Sequence, residues 1–271
     1  MREGQPGSPP GPGEGYRWIR HGSGWLLECD RLAPLVHGWT SRTLADDARD
    51  PGGGLAGQLA SLGGVAPNRV RQLRQVHGPR IVEAADTLPD DDDGADGVVT
   101  GDPSLLLTVR VADCVPLLIA DTKIGAVGAV HAGWRGTLAG IAVRAVERMT
   151  ALFGSRPANL VTALGPSIGP CCYEVGPDMR GRFVRAGWAE RSVDEWFGTA
   201  GPPHLDLWRA NRDQLIAAGV PGPAVLVPRL CTACHPEWFY SYRREAERTG
   251  RMFAFIRANG SGGVRGVAPG C

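Results

Sequence analysis

The chain has 271 residues, 43% of them hydrophobic and 21% charged, with 29 Lys and Arg against 28 Asp and Glu. A chain of this size can bury a core that needs no disulfide staple. Its near-neutral balance lacks the basic excess that sequence-independent nucleic-acid binding draws on, so no nucleic-acid partner is expected.

The first fifteen residues, MREGQPGSPPGPGEG, contain no apolar run that could form a signal-peptide core, and read as a disordered lead. No stretch of eighteen apolar residues follows, so no membrane span is predicted and a soluble, cytoplasmic monomer is expected. Gly- and Asp-rich stretches near Pro51 to Gly54 and Asp90 to Asp93 read as surface loops. The organisation predicted is one domain over residues 16 to 258, followed by a Gly-rich flexible tail over 259 to 271.

In the middle of the chain, Leu105 to Ala112, Val115 to Ala120 and Ile124 to Val130 are apolar, β-branched runs that predict strands, the last two paired as a hairpin. Thr137 is placed to cap a helix in which Leu138, Ile141, Ala142, Ala145, Met149 and Leu152 recur at helical spacing, with Gly154 as its stop. Further strands are expected at Leu160 to Leu164 and Ala224 to Val227, and a helix at Leu207 to Ala218 closed by Gly219. Strands in runs separated by few helices indicate an α+β fold.

Of six histidines, His21, His37, His204 and His235 stand without an evident ligand partner and read as packing or surface residues. His77 lies in Arg74-Gln75-Val76-His77-Gly78, and His131 ends a predicted strand at a Gly-rich turn. Cys114, in Ala112-Asp113-Cys114, lies 37 residues after His77 and 17 before His131. Two imidazoles and a thiolate make a three-ligand set of the kind catalytic zinc uses, although this spacing matches no regular finger. The same residues also allow a Cys114–His131 nucleophile pair.

Seven cysteines without an export signal favour thiols, metal ligands or a nucleophile over a disulfide framework. Cys231-Thr-Ala-Cys234-His235 has the form of a c-type haem attachment site, which the same absence argues against. Cys231 and Cys234 could hold half of a structural zinc, but no second C-x-x-C or His pair completes it, and the vicinal Cys171-Cys172 reads as packing. Arg135, just before the predicted helix, is the first candidate to hold a phosphate; Arg42, Arg74, Arg243 and Arg244 are weaker ones.

Together, RQVHG (74 to 78), ADCVPLLIAD (112 to 121), VHAGWRGTLAG (130 to 140), LGPSIGPCCYEVG (164 to 176) and CTACHPEWFYSYRRE (231 to 245) resemble the YfiH-like family. That family carries both a laccase-domain (multicopper polyphenol oxidase) label and a purine nucleoside phosphorylase label. The resemblance runs from His37-Gly-Trp-Thr-Ser-Arg42 to Ile256, and departs from the family where Thr43-Leu-Ala-Asp-Asp replaces a more usual Gly-Gly-Val-Ser run. It implies a single α+β domain with a β-sandwich-like core flanked by helices, similar to a group once proposed as cysteine hydrolases. It also implies zinc on His77, Cys114 and His131, and an enzyme that phosphorolyses adenosine, inosine, guanosine or methylthioadenosine and hydrolytically deaminates adenosine.

On this reading Cys114, Asp113 and Arg135 are the expected catalytic residues, with Asp113 as acid/base, and the partners are a nucleoside and phosphate. Arg42, Arg74, Gln75, Cys172 and Tyr173 are the expected substrate contacts. Three other classes stay open: a copper-dependent polyphenol oxidase, which six histidines serve poorly, a Cys–His hydrolase on amide or peptidoglycan-precursor substrates, and a pure binding module that holds nucleoside without turnover.

Overall fold

The computed structural model describes residues 8 to 22, 24 to 47, 54 to 84, 94 to 198 and 201 to 259. Of the loop expected near Pro51 to Gly54 only Gly54 is described, where it begins a helix; the loop expected near Asp90 to Asp93, the start of the lead, Cys271 and all but the first residue of the tail lie outside the described residues. The latter part of the lead runs along the domain: the Gly13 N–H donates to the Pro228 carbonyl at 2.8 Å and Trp18 Nε1 donates to the Pro10 carbonyl at 2.9 Å.

In chain order the strands are β1 (Tyr16–His21), β2 (Gly24–Cys29), β3 (His37–Thr40), β4 (Val70–Gln72), β5 (Ile81–Glu83) and β6 (Gly97–Thr100). They continue with β7 (Leu106–Val111), β8 (Val115–Asp121), β9 (Val127–Ala132), β10 (Leu160–Leu164), β11 (Val225–Leu226) and β12 (Met252–Arg257). The helices are α1 (Arg42–Asp47), α2 (Gly54–Gly63), α3 (Trp134–Leu138), α4 (Ile141–Phe153), α5 (Met179–Arg185), α6 (Glu190–Phe197), α7 (Leu207–Ala217) and α8 (Tyr242–Glu245).

Among the described residues these strands form two mixed six-stranded sheets, ordered β1-β2-β3-β12-β7-β4 and β11-β10-β8-β9-β6-β5. The sheets pack on each other through β7 and β12 on one side and β6, β8 and β9 on the other. Helix α4 covers the far side of β5, β6 and β9, and α7 packs against α4 and β11. This is the expected α+β domain, a sandwich-like core flanked by helices. With both faces covered, all seven residues of β8 and all six of β9 are buried, which is why they read as continuous apolar runs rather than alternating ones. Helix α4 turns Ile141, Ala142, Ala145, Val146 and Met149 inward, and burial of each larger side chain contributes roughly 1.5–3 kcal/mol. No described helix is long and apolar enough to cross a membrane.

The hairpin forms as expected, with Val115 opposite Ala132 and Pro116 opposite His131. Its second strand starts at Val127 rather than Ile124, because Asp121 Oδ1 accepts the Lys123 and Ile124 N–H groups and holds the intervening residues in a turn. The last expected strand shortens to Val225–Leu226, paired parallel to β10.

Thr137 does not cap the long helix. It sits buried inside the short α3, where its Oγ1 accepts from Asn211 Nδ2 at 3.0 Å and its carbonyl from Gln214 Nε2 at 2.9 Å. Gly140, at φ 74°, then turns the chain into α4. That left-handed step is open to glycine at little cost, so the one helix predicted is two segments hinged at Gly140.

Candidate metal centre and cavity

Cys114 immediately precedes β8 and His131 lies on β9, so the hairpin brings residues 17 apart in sequence side by side. His77 arrives from the loop that follows β4. The candidate ligand atoms of His77, Cys114 and His131 all lie within 4.8 Å of one another, and the two imidazoles meet edge to face with ring centroids 4.8 Å apart.

Asp96, which sequence reasoning missed, organises this cluster. It is fully buried just before β6, and its two carboxylate oxygens accept the backbone N–H groups of Val76, His77 and Gly78 at 3.1, 2.9 and 2.7 Å. These bonds hold His77 at φ 61°, a conformation non-glycine residues rarely adopt. Asp96 Oδ1 also accepts from His131 Nδ1 at 2.7 Å, which leaves Nε2 as the ligating nitrogen. Only Gly94 and Ala95 stand between Asp96 and the acidic run at Asp90 to Asp93, and no local pattern marks it out.

The electrostatics ready Cys114 as a thiolate, while His131 must give up its Nε2 proton to an incoming ion. Burial by itself would raise the Cys114 thiol, but the positive charge of His131 and hydrogen bonds from His131 and His77 draw it down to about 6. Burial would lower the His131 imidazole, and Cys114 and Asp96 instead lift it to about 9. Asp96 is held below the usual carboxylate range, burial being outweighed by His131 and the Gly78 and Val76 N–H groups. A thiolate is the form of cysteine that binds metal.

The donor set of two imidazoles and one thiolate therefore suits a metal ion, and the backbone leaves room for it. A Cβ at Gly133 would fall 2.9 Å from Cys114 Sγ and 3.3 Å from His77 Cδ2. Gly133→Ala is thus expected to lower metal affinity at least about tenfold while the fold persists, since displaced ligands rather than a lost core are the consequence. Metal titration followed by isothermal calorimetry, beside a far-UV spectrum, checks it; wild-type affinity in the variant would sink the argument.

The cluster opens into a cavity of about 810 Å³, within the range of small-molecule sites in general. Arg110, Arg135, Arg243 and Arg251 line it, giving a protein of near-zero net charge a locally positive mouth. Tyr173 forms part of the wall, and the Arg243 guanidinium stacks over its ring at 5.1 Å while donating to the carbonyls of Cys172 and Glu174. Arg243, though exposed, is therefore tethered at the site rather than free to sweep solvent.

Several expected contacts lie elsewhere. Arg42 is committed to Glu245, at 2.5 Å, and to the Pro236 carbonyl, and its guanidinium covers the Tyr240 ring, so it does not face the cavity. Arg74 is exposed and Cys172 turns toward other cysteines; neither lines the wall. Gln75 does line it, but its amide both accepts from and donates to the Arg110 backbone at 2.8 Å, bracing β7. Asp113, at φ 85°, lines the cavity with both oxygens engaged: Oδ1 accepts from Thr232 Oγ1 at 2.5 Å and Oδ2 from the Arg243 N–H at 2.6 Å. That arrangement ties Asp113, the expected acid/base, to the segment that carries Thr232 and Arg243. The remaining histidines are as expected, His37 being buried with Nε2 accepting the Cys29 N–H at 2.9 Å.

Residues 55–259 match the family model described as multi-copper polyphenol oxidoreductase laccase. A purine nucleoside phosphorylase from Deinococcus radiodurans is 43% identical over 212 residues, spanning 78% of this chain and 79% of that protein. An adenosine deaminase, RL5, from an unknown prokaryotic organism is 37% identical over 164 residues, spanning 60% of this chain and 62% of its own length. Among solved structures, YlmD from Geobacillus stearothermophilus superposes with a TM-score of 0.77 at 31% identity, covering 89% of this chain and 98% of that one.

Proposed function

Because the chain belongs to the multi-copper polyphenol oxidoreductase laccase family, whose relatives carry purine nucleoside phosphorylase and adenosine deaminase names, we propose that it is a zinc-dependent purine nucleoside enzyme. Its reactions are phosphorolysis of adenosine, inosine, guanosine and methylthioadenosine, and hydrolytic deamination of adenosine. The observation that carries this reading is the His77–Cys114–His131 cluster opening onto an arginine-lined cavity.

His77, Cys114 and His131 would hold the zinc, beside the cavity that they help to line. When bound, zinc supplies Lewis acidity and brings the ionisation of water close to neutral pH. Arg135, at the mouth beside Trp134, binds phosphate with Arg243, and the Tyr173 ring offers an apolar face to the purine. In phosphorolysis a phosphate oxygen forms the new bond at C1′ of the ribose as the C1′–N9 bond breaks and the purine departs protonated from solvent. In deamination water adds at C6 and ammonia leaves, with no phosphate consumed.

Arg135→Ala is expected to raise KM for phosphate about 10- to 100-fold, the loss of one charge-assisted contact, while adenosine deamination changes little. Equal loss of both reactions would assign Arg135 a structural role. The copper oxidase is disfavoured by its ligand requirement: several coppers need many imidazoles, and four of the six histidines lie outside the cluster. The test of the whole reading is chromatography of adenosine incubated with and without phosphate, before and after a chelator. Phosphate-dependent adenine or phosphate-independent inosine, both lost on chelation and restored by zinc, is the expected result. Activity indifferent to chelator but lost on thiol alkylation would move the reaction to Cys114 as nucleophile.

A further inference from the structure

Four cysteines outside the candidate catalytic site converge: the sulfurs of Cys171, Cys172, Cys231 and Cys234 lie within 4.8 Å of one another. In sequence they form two pairs some sixty residues apart, and the fold closes that gap through backbone. Ser167 and Cys231 form a parallel bridge, with the Ser167 N–H donating to the Leu230 carbonyl and the Thr232 N–H to the Ser167 carbonyl. The vicinal pair and the C-x-x-C pair thereby face each other across one small volume.

The spacing fits a single ion. Cys234 Sγ stands 3.5 Å from both Cys171 Sγ and Cys172 Sγ, and all four residues are free thiols. Four sulfurs held tetrahedrally at zinc–thiolate bond lengths sit roughly 3.8 Å apart. An iron–sulfur cluster, with a separate iron behind each thiolate, spreads its cysteines further than this. Cys231 is buried and its sulfur accepts the Gly169 N–H at 3.3 Å, the backbone support that outer partners give to metal thiolates. Cys171 and Cys234 are exposed, which gives an ion an entry path.

We propose that Cys171, Cys172, Cys231 and Cys234 form a second, structural tetrathiolate site for zinc, closed to substrate. Binding forms four sulfur–metal bonds and releases four thiol protons, with no change of oxidation state. The ion staples the 169 to 176 loop to the segment running from 229 to 245. Both carry parts of the cavity wall: Tyr173 follows Cys172 directly, and Arg243 donates to the Cys172 carbonyl at 3.2 Å and stacks on Tyr173. The four cysteines are thus positioning residues for that wall. The proposal rests on residues separate from His77, Cys114 and His131, so it stands or falls independently of the reaction assigned to them.

Elemental analysis of the full chain, purified under reducing conditions, is expected to find two zinc ions per chain. Cys171→Ser/Cys234→Ser and Cys114→Ser are each expected to retain one. Cobalt loaded into Cys114→Ser, where only the four-cysteine site remains complete, is expected to give the intense visible bands and thiolate-to-cobalt charge transfer of a tetrathiolate centre. A metal count in Cys171→Ser/Cys234→Ser equal to that of the wild type, or a cobalt spectrum without that charge transfer, overturns the proposal. So does a mass under non-reducing conditions showing hydrogens lost from these cysteines as disulfides. The cobalt spectrum of Cys114→Ser holds as a test even if the double variant fails to fold.

Discussion

Cys114→Ser is expected to purify folded, to lose the metal of the His77–Cys114–His131 site, and to turn over nucleosides at least about 10³-fold more slowly, roughly 4 kcal/mol in the barrier. The change is nearly isosteric, so the buried strand that starts at Val115 and the hairpin register across from Ala132 have no reason to move. What is lost is the ligand. The surroundings of Cys114, His131 above all, bring its thiol down to about 6, whereas a serine hydroxyl in the same place stays protonated at any pH the protein tolerates. Metal analysis beside chromatography of adenosine products checks it, with thermal melting to show that the fold survives. His77→Ala should lose metal and activity in the same way, because His77 is exposed and contributes nothing to the core. Full metal content with full activity in Cys114→Ser would falsify the ligand assignment.

Asp96→Asn is expected to combine two effects that separate in the assay. Its carboxylate only accepts, and it receives three backbone N–H groups and His131 Nδ1. An asparagine amide aims its own N–H groups at one set of these donors, leaving buried donors unsatisfied whichever way it is turned. The cost is about 3 kcal/mol, or a Tm lower by roughly 6–12 °C for a chain of this length. Metal affinity is expected to fall a further 10- to 100-fold, because the loop holding His77 is released and the His131 imidazole loses the partner that fixes its tautomer. Thermal scans with and without chelator distinguish the two: a stability loss in the metal-free protein reports the loop, and a smaller stabilisation by added zinc reports the ligands. An unchanged Tm in both states would show that Asp96 does not organise the site.

The contrast between Cys114 and Asp96 shows where reading a sequence stops. The central strands and the hairpin were legible because a strand covered on both faces must be apolar at every position, and an unbroken run such as Val115 to Ala120 is a local signal. The helix stops at Gly154 and Gly219 were legible for the same reason, each depending on a few neighbouring residues. His77, Cys114 and His131 could be singled out by residue type beside strand ends and turns, although their spacing alone left a metal site and a nucleophile pair equally open.

What the tertiary structure decided is everything that depends on which distant backbone arrives opposite which side chain. Thr137 looks like a cap in sequence and becomes a buried acceptor because α7 brings Asn211 and Gln214 against it. Arg42 looks available for substrate until the chain places Glu245 and Tyr240 around it, while Arg243 looks like surface charge until the 169 to 176 loop offers it two carbonyls and a ring. The cysteine pairs at 171–172 and 231–234 each look incomplete, and only the bridge between Ser167 and Cys231 makes them one cluster. Apolar patterning is additive along a strand or helix and survives in the sequence as a period. Hydrogen bonds and metal ligation need particular atoms to meet at about 3 Å, and for residues dozens of positions apart that coincidence is fixed only when the sheets have packed.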